Sequence, residues 1–409
     1  MSNDIKKIWK PSGGFYEDTL ILMFDGKTKK IQDIKPKDLI MCEDGKSGTV
    51  EEIGYGEDEM FEIIPIRGNK YVISGNHNLI LKASNYEMIF WDNKRKRYRI
   101  RWLENFCIKE KSYSISKYKS KKLAYEEAKK YLTIEVPKYN GYTKYGDSIK
   151  IIAKKYFKLS KRIRDAYKCY SIGLKFKNEI TEIDPYALGY WLGDGHTDST
   201  KITTEDPEIV NYFKDFAFQL NLQITNSSKL TYDITTGTKL GGYERNPWRN
   251  FLKDYDLMGY KYIPDDFKFN SKENRLKLLA GLIDSDGYNS NNTFDFCLKS
   301  EVLVDDIIFL ARSLGFYVAG KIKVKKTCTN APRGPKEGEY FRFFICGKGL
   351  EKIPSILFRK NAHERKSKKD ANVNGIKIFS IGTNKFYNFK LEINKPFLFG
   401  DFTITQNSI

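Results

Sequence analysis

Two stretches of this chain repeat one another, and the repetition dictates how its centre must pack. Ala187-Leu-Gly-Tyr-Trp-Leu-Gly-Asp194-Gly195 is echoed 92 residues later by Leu279-Ala-Gly-Leu-Ile-Asp-Ser-Asp286-Gly287. Downstream, Phe216-Ala-Phe-Gln-Leu-Asn-Leu222 matches Leu310-Ala-Arg-Ser-Leu-Gly-Phe316, and Lys261-Tyr-Ile-Pro264 echoes Lys352-Ile-Pro354. Matches in one order describe a duplicated unit, with repeats of about 184–270 and 271–365. Each opens on a capped apolar helix, Asp184-Pro185 before the first and Ser271 before the second, and continues through polar turns and strands to another helix.

The small residues of these helices carry the chemistry. Ala187 and Gly189, like Ala280 and Gly281, leave little side chain on one face, so the helices can meet backbone to backbone about a pseudo-two-fold axis. Their C-terminal ends then converge. Asp194 and Asp286 become neighbours, each followed by a glycine able to take the left-handed conformation that ends a helix. Two carboxylates at a dyad repel unless divalent cations lie between them, and Mg²⁺ suits both these oxygens and those of a phosphodiester.

Charge points the same way. The 409 residues hold 71 Lys and Arg against 52 Asp and Glu, a net +19. Over 94–130, 14 Lys and Arg face four Glu, so more than half of the excess is local. Lys94, Arg95, Lys96, Arg97, Arg99 and Arg101 begin this run, with Tyr98, Trp102, Tyr113, Tyr118 and Tyr125 interleaved, a combination of phosphate-neutralising and stacking groups that fits a nucleic acid. A second run comprises Lys321, Lys323, Lys325, Lys326, Arg333 and Lys336. Neither run has the apolar stripe of a membrane-surface helix. No apolar stretch is long enough to span a bilayer, and the N-terminus reads polar rather than as a signal peptide, so an intracellular protein without membrane association is expected. The six cysteines form no CxxC and only three histidines accompany them, which argues for reduced thiols rather than a zinc site.

The two ends of the chain read as β-structure. Thr19-Leu-Ile-Leu-Met-Phe-Asp-Gly26 followed by 31–38 predicts a hairpin turning at Asp25-Gly26. Lys70-Tyr-Val-Ile-Ser74-Gly-Asn-His77 sets a serine and a histidine beside a strand, and 386–392 and 397–408 are β-like.

The duplicated motif resembles the LAGLIDADG motif of homing endonucleases, which the second copy matches nearly letter for letter. The terminal blocks resemble those of inteins, self-splicing elements of the Hint fold. The implied architecture is multidomain, a β-rich, horseshoe-shaped Hint splicing domain plus an α+β two-repeat endonuclease whose four-stranded sheets straddle the DNA major groove. Residues 14–90 and 371–407 would form the Hint domain, 91–178 a basic DNA-recognition insert and 179–370 the nuclease, with 1–13 and 408–409 as extein remnants. The resemblance implies that Asp194 and Asp286 bind metal and cut both strands of a long asymmetric duplex as a monomer. Lys261, and less directly Lys352, would be active-site lysines. Ser74 and His77 fit the block that polarises the upstream scissile peptide, Asn407 the residue that cyclises, and Ser408 the hydroxyl that accepts the upstream acyl group.

Departures from the pattern are informative. The first splicing position falls on Gly14, which has no nucleophile, so the N-terminal acyl shift is impossible in this chain; a natural Cys or Ser there is the reading that explains the attached flanks. Gln406 stands where most inteins have His, Asn394 or Lys395 near another usual His, and Asn388 where Asp is frequent. Two other functions stay open at this point: a free-standing intein-derived endonuclease with a vestigial Hint domain, and a DNA-binding protein that does not cut.

Overall fold

The computed structural model describes residues 9–84, 88–237, 246–328, 336–364 and 369–407. It divides into two compact units, Met1–Ser171 with Val373–Ile409, and Ile172–Asn372. Among the described residues no helix is long and apolar enough to cross a membrane.

The first unit is built on one long antiparallel ribbon. Strand Ser47–Pro65 pairs with Ile376–Leu391 from Ile376↔Pro65 to Leu391↔Val50, which joins the two ends of the sequence in one fold. Tyr71–Ser74 adds to the ribbon with Met60 opposite Ser74. Alternate residues of these strands point inward, and Phe15, Phe61, Ile73, Leu81, Phe389 and Phe397 form a buried core, each large side chain contributing roughly 1.5–3 kcal/mol on burial. The expected hairpin at Asp25-Gly26 forms, with Leu20–Leu22 against Thr28–Lys30 and Gly26 at φ 81°. Its second strand is Thr28–Lys30 rather than the expected 31–38, because Ile31–Asp33 closes into a 3₁₀ turn that buries Ile31.

The basic stretch 91–178 is not one body. Met88–Asp92, Arg97–Glu104 and Cys107–Ser114 form an antiparallel sheet, and helix Lys121–Lys130 packs with it around Ile100, Trp102, Tyr113, Ala124 and Ala128. Farther on, Ser148–Ile152 and Tyr167–Tyr170 pair with Asn78–Ala83 instead. Ile151, Tyr167 and Cys169 are buried in the larger core of the unit, and this apolar alternation draws their strands there.

The second unit holds the duplication. The first motif helix, Pro185–Asp194, is capped by the Asp184 side chain, which accepts from Tyr186 N, and the second, Lys272–Asp286, by Ser271, which accepts from Asn274 N. They cross backbone to backbone: a Cβ on Gly189 would lie 2.1 Å from Leu278 O, and one on Gly281 2.2 Å from Tyr186 O. The later helices, Pro207–Gln219 and Glu301–Ser313, correspond to the second sequence match. The second repeat has the expected four-stranded sheet, in the order Tyr288–Asn289, Phe294–Leu298, Lys336–Cys346, Tyr317–Cys328. The first repeat has three strands among the described residues, Ile202–Thr203, Thr231–Thr235 and Gln223–Asn226; 238–245 lies outside them.

The glycines that end the motif helices act differently from the sequence expectation. Gly195 and Gly287 are extended, at φ −78° and −79°, not left-handed. What they supply is room, since a Cβ on Gly195 would sit 2.4 Å from Trp191 O and one on Gly287 2.8 Å from the Ile283 Cα.

Candidate active sites

The crossing of the motif helices brings Asp194 and Asp286 together. A Cβ on Gly193 would lie 2.9 Å from Asp286 Oδ2, so the two helix ends abut. Burial and then the neighbouring Asp286 push the Asp194 carboxyl up to about 6, against the pull of Lys360 and Lys261. Asp286 keeps an open flank to solvent, yet burial by the surrounding protein raises its carboxyl too, opposed by Lys261 and Lys360. Burial thus outweighs the two lysines and disfavours the ionised form of both carboxylates. Among the described residues no group of three acids, histidines or cysteines could hold a metal alone, so a cation bridging these carboxylates would complete its shell with water and phosphate oxygens.

Each helix end is held by a lysine. Lys261 Nζ donates to Trp191 O at 2.9 Å, Gly193 O at 3.2 Å and Gly195 O at 2.6 Å. Lys360 Nζ does the same for the other helix, donating to Ile283 O at 2.9 Å, Asp284 O at 2.7 Å and Ser285 O at 3.0 Å. Burial lowers both, Lys261 to about 8 with Asp286 and Asp194 opposing the shift. An ammonium has three donors and all are engaged, so each lysine fixes the helix end and places a charge there rather than relaying a proton.

Lys352, taken from the Ile-Pro echo, is not the partner of Lys261: it lies exposed in the 3₁₀ turn Leu350–Lys352. The lysine must reach the carbonyls of a helix end, and in the second repeat the chain arrives there six residues after Pro354 rather than three before a proline. Asp284, also overlooked, anchors that route. It accepts from Tyr186 Oη at 2.7 Å and Ile356 N at 2.7 Å, and from Ser355 Oγ.

In the first unit the candidate splice residues gather around the Gly13–Gly14 peptide. Gly14 N donates to Ser74 Oγ at 2.9 Å, while Asn388 Nδ2 donates to Gly13 O, so both polar atoms of that peptide are engaged. The next residue of the same strand, Phe389, accepts from Asn407 Nδ2 through its carbonyl. His77 is buried and its ring is held neutral, brought down to about 3 by burial. It faces Thr405 Oγ1 at 2.9 Å rather than the Gly14 nitrogen, which disagrees with a direct role in protonating that amide. Gln406 donates to Asn394 O at 3.2 Å, and Lys395 is turned away to Asp44 at 2.9 Å. The Asn407 and Gln406 side-chain oxygens and His77 Nδ1 are buried without partners among the described residues. Ser408 lies outside the described residues. Gly14 is closely packed, since a Cβ there would sit 2.3 Å from Tyr387 O.

The predicted DNA contacts divide. Lys94, Arg95 and Lys96 occupy the exposed turn between two strands. Arg97 pairs with Asp92, and Arg99 and Arg101 both pair with Glu110 while lying over the Phe90 ring. Lys321 leaves the group: at φ 75° beside the bulge at Gly320, it turns to Glu301 at 3.0 Å and Asp305 at 2.6 Å on the helix side of its sheet. Lys323 and Lys325 pair with Phe341 and Glu339 on that same side, whereas Lys326, opposite Gly338, has the other parity. Arg333 lies outside the described residues.

Residues 14–185 match the family model described as Hom_end-associated Hint, and residues 262–336 the one described as Homing endonuclease. The chain therefore joins an intein-type Hint domain to a homing endonuclease domain. Leu279–Gly287 resembles the LAGLIDADG motif of such endonucleases at every position but Ser285. Among curated proteins the chain is 29% identical over 185 residues to the replicative DNA helicase DnaB of Mycobacterium intracellulare, 45% of this chain and 27% of that protein. It thus spans about a quarter of the length of this relative. Solved structures similar to it include mesophilic variants of the homing endonuclease I-DmoI, at 15% identity and TM-score 0.26 over 40% of this chain and 81% of that one. I-DmoI with DNA and Ca gives 14% and 0.25 over 40% and 81%, and the gp41-1 intein 17% and 0.16 over 24% and 80%.

Proposed function

We propose that the chain is an intein-encoded homing endonuclease that makes a site-specific double-strand break in a long, asymmetric DNA duplex, acting as a monomer with both repeats at one site. The observation that carries this is the convergence of Asp194 and Asp286 at the ends of a backbone-packed helix pair, each end held by a lysine. The donor set fits Mg²⁺, a hard cation that accepts carboxylate oxygens and keeps waters. When bound, such an ion supplies charge stabilisation to the phosphate oxygens and a more acidic attacking water. Asp194 and Asp286 would hold it, and Lys261 and Lys360 would stabilise charge that builds on the phosphorane-like transition state.

The Hint domain, in the same reading, holds the two junctions with the host exteins, Gly13–Gly14 and Asn407–Ser408. Ser74 and Asn388 position the first peptide, and Asn407 would attack its own carbonyl at the second. A match covering 27% of a larger helicase suits an element lodged within a host protein. To test the nuclease, the full chain is used to select cleaved sites from a randomised duplex library. Asp286→Asn is expected to abolish double-strand cleavage while the selected duplex still binds; cleavage that survives refutes the assignment.

The tight packing at Gly14 favours a second reading, a free-standing endonuclease whose Hint domain is vestigial. Gly14→Cys decides between them. Ligated or cleaved flanks seen by mass spectrometry support a parent element that splices, and an intact chain supports the vestigial domain.

A further inference from the structure

The sheet of the second repeat packs one face on helices, and its other face carries partly exposed polar side chains among the described residues. Phe294 and Phe296, with Phe341, Phe343 and Ile345, point into the core. The intervening residues Asp295, Arg342 and Phe344 therefore lie on the opposite face. There Arg342 is held in a fixed plane. Its Nε donates to Asp295 Oδ1 at 3.0 Å and Oδ2 at 3.2 Å, and its Nη2 to Oδ2 at 2.5 Å. The guanidinium carbon stands 5.1 Å from the centre of the Phe344 ring. One edge of the guanidinium is used by the carboxylate, the ring supports its plane, and Nη1 makes no hydrogen bond among the described residues. The side chain remains 39% exposed against 17% for Asp295, so the cation faces outward over a nearly covered anchor.

Pairing links this residue to the catalytic end of the helix. Tyr288, two residues after Asp286, is opposite Asp295, and Cys297, two residues further, is opposite Arg342. Arg342 thus lies on the face that begins beside Asp286, a few strand steps away, and one strand step is about the rise of one base pair, roughly 3.3 Å against 3.4 Å. A cation that only neutralised phosphate would need neither a carboxylate fork nor a stacking ring. A planar fork held by a carboxylate and a ring on an exposed sheet face suits the O6 and N7 acceptors of guanine.

Resting on the nuclease reading above, we propose that Arg342 is a specificity-determining residue that reads one guanine in the major groove, a few base pairs from the phosphodiester at Asp286, with Asp295 as its positioning residue. The test is selection of bound sites from a randomised duplex library by the full chain and by Arg342→Ala, Arg342→Gln and Asp295→Asn, at one salt concentration. The unaltered chain is expected to require G at one position near the cut. Arg342→Ala relaxes that position about tenfold or more and leaves the other positions alone, and Arg342→Gln moves the preference toward A, since a glutamine amide matches adenine N6 and N7. Asp295→Asn weakens the same preference by less, with total affinity kept. An equal loss at every position, or an unaltered sequence profile, overturns the proposal and leaves the nuclease reading standing. If the full chain enriches no sequence, both fall. Should Arg342→Ala fail to fold, Arg342→Gln, close in length and volume, carries the decision.

Discussion

The two repeats make the same site by unlike means. In the first, Leu192 occupies the motif position that Asp284 fills in the second, and Lys261 approaches from just before Pro264. In the second, Asp284 accepts from Ile356 N and Ser355 Oγ, which steers the chain so that Lys360 reaches the helix end. Both lysines satisfy three carbonyls, although they stand 99 residues apart while the aspartates stand 92 apart. What the repeats share is a geometry at the helix ends, and the loops leading to it are free to differ. Among the described residues the sheets differ further, since only the second carries the long hairpin of Tyr317–Cys328 and Lys336–Cys346.

The sharpest way to break the comparison is at the crossing itself. Gly281→Val should destabilise the second unit by about 3 kcal/mol or more, because the new side chain meets backbone at Tyr186 O and Tyr190 N, which cannot give way without separating the helices. Thermal unfolding followed by circular dichroism reads this, and a stable variant would mean that the close approach is not needed.

Next in size is the lysine pair. Lys360→Met should slow cleavage about 10² to 10³-fold, in line with loss of a fixed charge at a developing anion, while Lys352→Met leaves it unchanged. Single-turnover cleavage of a selected duplex separates the two, and equal effects would restore Lys352 to the site.

A smaller effect concerns pH. The folded Asp194 carboxyl, at about 6, lies above its ordinary 3.8. Its contribution to stability is therefore fully present below about 4 and is lost as pH rises through 6. In chelator the second unit should lose about 1–3 kcal/mol across that window. Asp194→Asn should flatten the slope, and saturating Mg²⁺ should restore stability above pH 6 by binding the ionised pair. A slope that persists in the variant assigns the titration elsewhere.

Much of this was legible because it follows from local rules. Asp184-Pro185 and Ser271 mark helix starts, alternating apolar residues mark the strands of the ribbon, and small residues on a helix face announce a close crossing. Lys360 was hidden because its position depends on the path of a loop, and the Ile-Pro echo pointed to Lys352 instead. The extended conformation of Gly195 and Gly287 was equally hidden: a glycine tells of freedom, but whether it supplies handedness or room depends on what packs above it. Lys321 shows the same limit for charge, since a bulge at Gly320 turned it to Glu301 and Asp305.

By itself, then, the sequence determined the duplication, the helix crossing and the paired carboxylates, and it pointed to Ser74, His77, Gly14 and Asn407 as candidate splice residues, because periodicity, capping and residue chemistry act over a few positions. Only the tertiary structure decided which lysine completes the second helix end, that Asn388 and not His77 meets the Gly13–Gly14 peptide, and which cations face outward. Those choices are made by contacts between residues tens to hundreds of positions apart, where hydrogen-bond geometry and burial, rather than local pattern, select the partner.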